Sequence, residues 1–217
     1  MLSEQGIAVI IGRVGGRVEA VEGRKRTGPS LRAAAESAAL ASKLGDGIFS
    51  NIDEAISAAR RAFLTYRDMG LEKRRVIVDA MRSAMLADGE RRAYLAREET
   101  GLGRAEDKVL KNRLVTIRTP GPEDLDPQAV TGDSGMMVTE FAPYGVIGSI
   151  SPTTNPTSTV INNSIAIISA GNAVTFNVHP SAKDVSVENI QVLNRAIMSA
   201  GGPPDLITAI AEPTLES

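Results

Sequence analysis

Residues 146–210 read VIGSISPTTNPTSTVINNSIAIISAGNAVTFNVHPSAKDVSVENIQVLNRAIMSAGGPPDLITAI, and this stretch decides the fold. Residues 146–150, 173–178 and 206–210 are short apolar runs with no alternation, the pattern of strands buried on both faces. Between the first two, residues 157–170 predict a helix closed by Gly171-Asn172. Between the second and third, Ser181 is a candidate N-cap for a long helix in which Ser186, Ile190, Leu193 and Ile197 form one stripe. Gly201-Gly202-Pro203-Pro204 ends that helix. The order β-α-β-α-β is the grammar of a parallel, doubly wound (Rossmann-like) sheet. Three such strands make half a sheet, and an incomplete sheet leaves an apolar edge in water. The expectation is the amino-terminal part of something larger, with another helix due at Pro213 or Thr214.

Upstream the apolar residues take the period of a helix. Asn51 is placed to cap a helix in which Ile52, Ile56, Ala59 and Phe63 share a face. Gly70 breaks it. A second helix is expected over 71–86 with Val78, Met81 and Met85 inward, and a third ending at Gly101 and Gly103. A fourth carries Leu110, Leu114 and Ile117 and stops before Pro120. Lys73-Arg74-Arg75 reads as a solvated helix face. Residues 120–134 read as a connecting loop and 136–142 as a strand. The fold class is thus α/β, a helical block followed by the first half of a parallel sheet. Residues 1–47 form a poorly defined extension and 48–217 the cofactor-binding part. Gly12, Gly15 and Gly16 do not match a dinucleotide fingerprint, and 31–44 is an Ala-rich helix candidate with a weak apolar face.

Composition narrows the function. The 217 residues carry 24 Lys+Arg against 26 Asp+Glu, a net charge of −2 that argues against nucleic acid as the partner. The chain has no cysteine, so these residues hold no disulfide, no thiolate metal site and no thiol nucleophile. With one histidine as well, no metal site is expected. The longest early apolar run, 7–11, is too short for a signal peptide or a membrane span, which predicts a cytoplasmic protein without a membrane partner.

Two turns carry candidate chemistry, because ligands of open α/β sheets sit beyond the carboxyl ends of the strands. Ser151-Pro152-Thr153-Thr154-Asn155-Pro156 leads into a helix N-terminus, whose free N–H groups suit an anion or a developing oxyanion; a plain capping turn has the same composition. His179-Pro180-Ser181-Ala182-Lys183 holds the sole histidine, placed to meet a ribose or phosphate.

Together these residues resemble a known family. The run Ala142-Pro143-Tyr144-Gly145-Val146-Ile147-Gly148, the Pro152–Pro156 turn, Asn162-Asn163, Ala170-Gly171-Asn172 and His179–Lys183 are similar to the aldehyde dehydrogenase superfamily, most of all its CoA-acylating branch. Glu99-Thr100-Gly101-Leu102-Gly103 through Lys108, and Thr119-Pro120-Gly121, agree. The resemblance covers about 48–217. It implies the reaction aldehyde + CoA + NAD⁺ → acyl-CoA + NADH, in which a cysteine thiolate attacks the aldehyde, hydride passes to nicotinamide and CoA takes the acyl group.

Carried over residue by residue, the resemblance makes Asn155 the oxyanion donor, or Thr154 if the family motif is laid without a gap. Ser151, Pro152, Thr153, His179, Pro180, Ser181 and Lys183 are the expected cofactor contacts. Ala182 stands where the family's acidic residue would hold ribose hydroxyls, which leaves NAD against NADP open. It also removes a repulsion toward the 3′-phosphate of CoA, which Lys183 would attract. The adenosine ends of NAD and CoA are then expected to use this pocket in turn. The family's cysteine lies downstream, so this polypeptide alone cannot form the thioester. The resemblance further implies a small aldehyde substrate, a homo-oligomer when complete, and possible packaging in a bacterial microcompartment, for which 31–44 is the only targeting candidate. Part of a bifunctional aldehyde–alcohol dehydrogenase, or a non-catalytic nucleotide-binding or assembly module, stay as alternatives.

Overall fold

The structure, a computed structural model, describes residues 44–214; the glycine turn near residue 12 and nearly all of the 31–44 helix lie outside the described residues. In chain order the elements are β1 (Ile48–Phe49), α1 (Ile52–Tyr66), α2 (Leu71–Thr100), α3 (Ala105–Arg118), β2 (Gln128–Gly132), β3 (Gly135–Thr139), β4 (Val146–Ser151), α4 (Pro156–Ser169), β5 (Ala173–Val178), α5 (Lys183–Ser199) and β6 (Ile207–Ile210). Four strands form a parallel sheet in the order β1-β6-β5-β4. The three strands expected from 146–210 are present, and the sheet gains β1 at its far edge. That strand is too short to leave a periodic signal.

Each βα crossover steps one strand along, so α4 and α5 cover one face. On that side Ser149 of β4 receives the Asn163 amide of α4 at 3.0 Å. Val174, Phe176, Ile190, Leu193 and Ile207 are fully buried in this layer. A fully buried side chain of this size contributes about 1.5–3 kcal/mol. The opposite face takes α1, which crosses all four strands. Its buried residues are Ala55, Ala58, Ala59, Ala62 and Tyr66, whereas Ile56 is exposed. Of the expected face Ile52, Ile56, Ala59 and Phe63, Ala59 is fully buried and Phe63 packs against the core, but Ile56 is turned out: alanines let the helix lie close to the sheet. Asn51 does cap α1, its side-chain oxygen accepting the Glu54 N–H at 2.9 Å.

After α1 the chain passes under the amino ends of the strands. Tyr66 donates to the carbonyl of Ile168 at 3.0 Å, and its burial pushes the phenol pKa upward. The Arg74 guanidinium sits 5.7 Å from the Tyr66 ring and donates to the carbonyls of Met69 and Arg67. Lys73 donates to the carbonyl of Ala200 at 2.7 Å. The run read as a solvated face thus closes two helix C-termini, with only Arg75 left among exposed carboxylates.

The second and third expected helices are one. α2 runs unbroken for 30 residues and packs over α4 and α5. Asp88-Gly89 looks like a break, but Gly89 is buried where α3 crosses, and its carbonyl accepts from Asn112 at 3.0 Å. Arg92, 1% exposed, is ion-paired with Asp88 on its own helix and Glu188 on α5. A helix of this length spans about 45 Å. It carries the chain from the amino to the carboxyl end of the sheet.

Helix α3 is where the sequence put it, with its faces exchanged. Leu110, Leu114 and Ile117 are exposed, while Lys108, Asn112 and Thr116 are buried. The buried polar groups satisfy backbone and side-chain oxygens described below. Residues 128–139, read as a loop and the start of a strand, form the antiparallel hairpin β2–β3, every residue of which is exposed. Gly45–Gly47, counted with the extension by sequence, belong to the sheet edge: the carbonyl of Gly47 accepts the Ala209 N–H at 3.0 Å.

Candidate functional site

The two candidate turns leave the carboxyl ends of adjacent strands, with Ser151 of β4 in register with Val178 of β5. Paired strands lie about 4.8 Å apart, so the turns start side by side. Pro156 occupies the first position of α4, where its missing N–H costs nothing. No side chain caps α4, so the capping role that this composition suggested is not filled.

The first turn is held by α3. Lys108 donates to the carbonyl of Thr154 at 3.1 Å, and Lys111 donates to the side-chain oxygen of Asn155 at 2.6 Å. Burial, with Lys111 and Arg97 nearby, lowers the Lys108 pKa. Thr157 donates to the Asn112 side-chain oxygen at 2.9 Å, and Asn189 of α5 donates to the Thr157 carbonyl at 3.1 Å. Asn155 is therefore oriented: its oxygen faces Lys111, and its nitrogen makes only a 3.4 Å contact with the Thr154 hydroxyl. Thr154 and Pro152 are exposed, Thr153 half-buried. Ser151 is buried, and its hydroxyl makes no hydrogen bond among the described residues. A buried orphan hydroxyl at a strand's carboxyl end is a ready partner for a ligand.

The second turn departs from expectation in three ways. Ser181 does not cap α5: residues Pro180–Ala182 form a 3-10 turn, and the helix starts at Lys183. The cap is Glu99, at the end of α2, whose carboxylate accepts the N–H groups of Asp184 and Val185, each at 2.9 Å. Burial pushes the Glu99 carboxyl up to about 7 against these two hydrogen bonds. Those N–H groups are consequently spent and are not offered to a phosphate. Lys183 is ion-paired with Glu212, just past β6. Ala182 is wholly buried, so no larger side chain fits there without displacing the turn.

His179 and Ser181 remain at the surface of this turn. The His179 Nδ1 accepts the Ser181 N–H at 3.1 Å, which leaves Nε2–H as the outward donor. An orphan Ser151 hydroxyl, a His179 N–H and the exposed Ser181 are donors of the kind that ribose and pyrophosphate oxygens need. They fit the adenosine end of a dinucleotide or of CoA. A hollow of about 430 Å³ bounded by Asp46, Arg91, Glu188 and Arg195 shares no residue with either turn, and its charges are already paired. Among the described residues no three His, Cys, Asp or Glu cluster as a metal site would require, and no helix is long and apolar enough to cross a membrane.

Sequence reasoning missed Lys111, Lys108, Glu99 and Glu212. Glu99 and Lys108 lie inside a stretch that carries the family resemblance, yet nothing local shows that they meet turns dozens of residues away.

Comparisons with known proteins agree on a family. The model described as "Aldehyde dehydrogenase family" matches residues 34–216. The propanal dehydrogenase (CoA-propanoylating) of Salmonella typhimurium strain LT2 is 45% identical over 173 residues, 80% of this chain and 37% of that protein. The propionaldehyde dehydrogenase of Rhodopseudomonas palustris, solved with bound CoA and an acylated cysteine, superposes with a TM-score of 0.77 at 39% identity, covering 80% of this chain and 40% of that one. A propionaldehyde dehydrogenase from the fucose utilisation microcompartment of Clostridium phytofermentans gives 0.76 at 41% identity, over 78% and 39%. The chain spans about two fifths of the length of these relatives.

Proposed function

The chain belongs to the aldehyde dehydrogenase family, and we propose that it supplies the cofactor-binding part of a CoA-acylating aldehyde dehydrogenase. The reaction is aldehyde + CoA + NAD(P)⁺ → acyl-CoA + NAD(P)H + H⁺, on a small aldehyde. The observation that carries this reading is Asn155: at the carboxyl end of β4, its amide does not cap α4, its oxygen is held by Lys111, and its nitrogen makes one long contact at 3.4 Å.

When bound, the nicotinamide accepts hydride and CoA accepts the acyl group; this chain's residues bind and orient. Asn155 donates to the aldehyde oxygen as it gains negative charge, an interaction stronger in the transition state than in the ground state. Ser151, His179 and Ser181 hold adenosine and phosphate oxygens. Both adenosine-bearing partners use this pocket in turn, and no carboxylate at 182 opposes the 3′-phosphate of CoA. The thiol comes from polypeptide other than these residues, which contain no cysteine. The exposed β2–β3 hairpin suits a self-assembling protein. Packaging in a microcompartment, as in the Clostridium relative, is tested by deleting residues 1–47 and scoring entry into shells.

The central test is calorimetric titration of the 217-residue chain with CoA and with NAD, alone and in competition, alongside a propanal-dependent NADH assay. The expected result is mutually exclusive binding without NADH formation, NADH appearing once the thiol-bearing segment is supplied. Because Ala182 is buried, a negative charge is better introduced by Ser181→Glu, which should weaken CoA more than NAD. Independent binding of the two ligands overturns the shared pocket, and NADH formed without any thiol overturns the mechanism.

A further inference from the structure

We propose that Lys111 is a positioning residue that sets the direction of the Asn155 amide; the inference rests on the reading of Asn155 as the oxyanion donor. An ammonium has donors and no acceptor, so only the amide oxygen can face it at 2.6 Å. The amide nitrogen is thereby turned to the other side. There it makes one long contact, 3.4 Å to the Thr154 hydroxyl, which leaves an N–H to offer.

The same chain contains a comparison. Asn51 and Asn155 both occupy N-cap positions. Asn51 bends its oxygen back onto the Glu54 N–H at 2.9 Å, the ordinary behaviour of asparagine there. Asn155 makes no such bond: its ψ is 52° against 162° at Asn51, and Lys111 holds its oxygen. The lysine is itself well placed. It lies on α3 between Lys108, which fixes the Thr154 carbonyl, and Asn112, which is tied to α2 through Gly89 and to α4 through Thr157. A positive charge behind the amide oxygen also polarises the group, making Nδ2–H the stronger donor toward an anion. Lys111 touches no reacting atom in this account; it acts through Asn155.

The test uses the 217-residue chain uniformly labelled with ¹⁵N, as the unaltered sequence, as Lys111→Met and as Lys111→Arg. The expected result for Lys111→Met is a shift of the Asn155 side-chain signals, together with shifts of the Thr157 and Ser158 backbone amides as the freed oxygen turns to cap α4. Lys111→Arg, still a donor without an acceptor, should leave them near their original positions. Unchanged Asn155 signals in Lys111→Met overturn the proposal. With the thiol-bearing polypeptide supplied, Lys111→Met should lower kcat by about tenfold or more, up to the roughly 10²–10³ that follows outright loss of an oxyanion donor, with KM for CoA unchanged and Lys111→Arg restoring it. Loss of CoA affinity at constant kcat also overturns it. If the signals behave as expected but Asn155→Ala leaves kcat intact, the oxyanion reading fails and the Lys111 contact stands.

Discussion

The carboxylate of Glu99 sits over the N-terminus of α5 and accepts the Val185 N–H at 2.9 Å, across 86 positions of sequence. Its second oxygen takes the Asp184 N–H. A long helix delivers an acid to the foot of the turn that holds His179, and the acid occupies donors that would otherwise attract a phosphate.

That contact makes stability depend on pH. The Glu99 pKa is raised by burial from 4.5 in the open chain to about 7 in the folded one. A raised pKa means that the folded state holds its proton more tightly, so the group's contribution is complete below about 4.5 and is lost as pH rises through 7. The full effect is on the order of 3 kcal/mol at most. Asp205, raised by burial, acts in the same direction, whereas Asp88 is lowered and acts only under acid conditions. Thermal unfolding between pH 5 and 8 should show a falling midpoint in the unaltered chain and a flatter profile in Glu99→Gln. Equal slopes in the two would show that Glu99 does not titrate in this window.

Much of the sheet was legible because buried strands and their crossovers leave strong local patterns: residues 146–210 read nearly as they fold. The helical block was harder. In α1 the contact demanded small residues, so Ala55, Ala59 and Ala62 went inward and Ile56 outward. In α3 the inward face is chosen by oxygens needing donors, which favours Lys108 and Asn112 over Leu110 and Leu114. Hydrophobicity alone misplaces Ile56 in the first and the whole apolar face in the second. In the site, the turns were visible as unusual composition at strand ends. Their partners Lys111, Glu99 and Glu212 come from other elements, and no spacing rule connects them.

Gly47 offers a sharp test of the sheet edge. Its φ is +92°, and a Cβ there would stand 2.2 Å from both the Ile207 carbonyl and the Asn194 amide. Gly47→Ala should therefore cost about 3 kcal/mol or more through strain and backbone overlap. Gly148→Ala on β4, where a Cβ meets nothing within 4 Å, should change stability by less than about 1 kcal/mol and serves as the control. Denaturant midpoints of the two variants decide it; similar losses would mean that β1 is not seated as described.

Asn194 is one of the buried polar residues of α5, with Ser186, Asn189 and Gln191. Fully buried, it donates to the carbonyls of Asp46 and Ile207 and accepts the Ile207 N–H, joining β6 to the segment before β1. Asn194→Leu keeps the volume and strands those groups, for an expected loss of about 2–3 kcal/mol. Hydrogen exchange should show the Ile207–Ile210 amides losing protection first. A variant with unchanged stability would show that packing, not these bonds, holds the edge.

The ion pair between Lys183 and Glu212 bears on ligand choice. Glu212 is 60% exposed, so the pair contributes little to stability, within about 1 kcal/mol. Its greater consequence is competition: a 3′-phosphate meets Lys183 only by displacing the carboxylate. Glu212→Gln removes the competitor and a like charge at once, and should tighten CoA binding about three- to tenfold at low salt, the gain shrinking as ionic strength rises. Binding of 3′-dephospho-CoA should barely change, because it lacks the group in question. Calorimetric titration of the two ligands against both proteins gives the answer. Parallel gains for both ligands would place Lys183 away from the phosphate and leave its charge a matter of the helix alone.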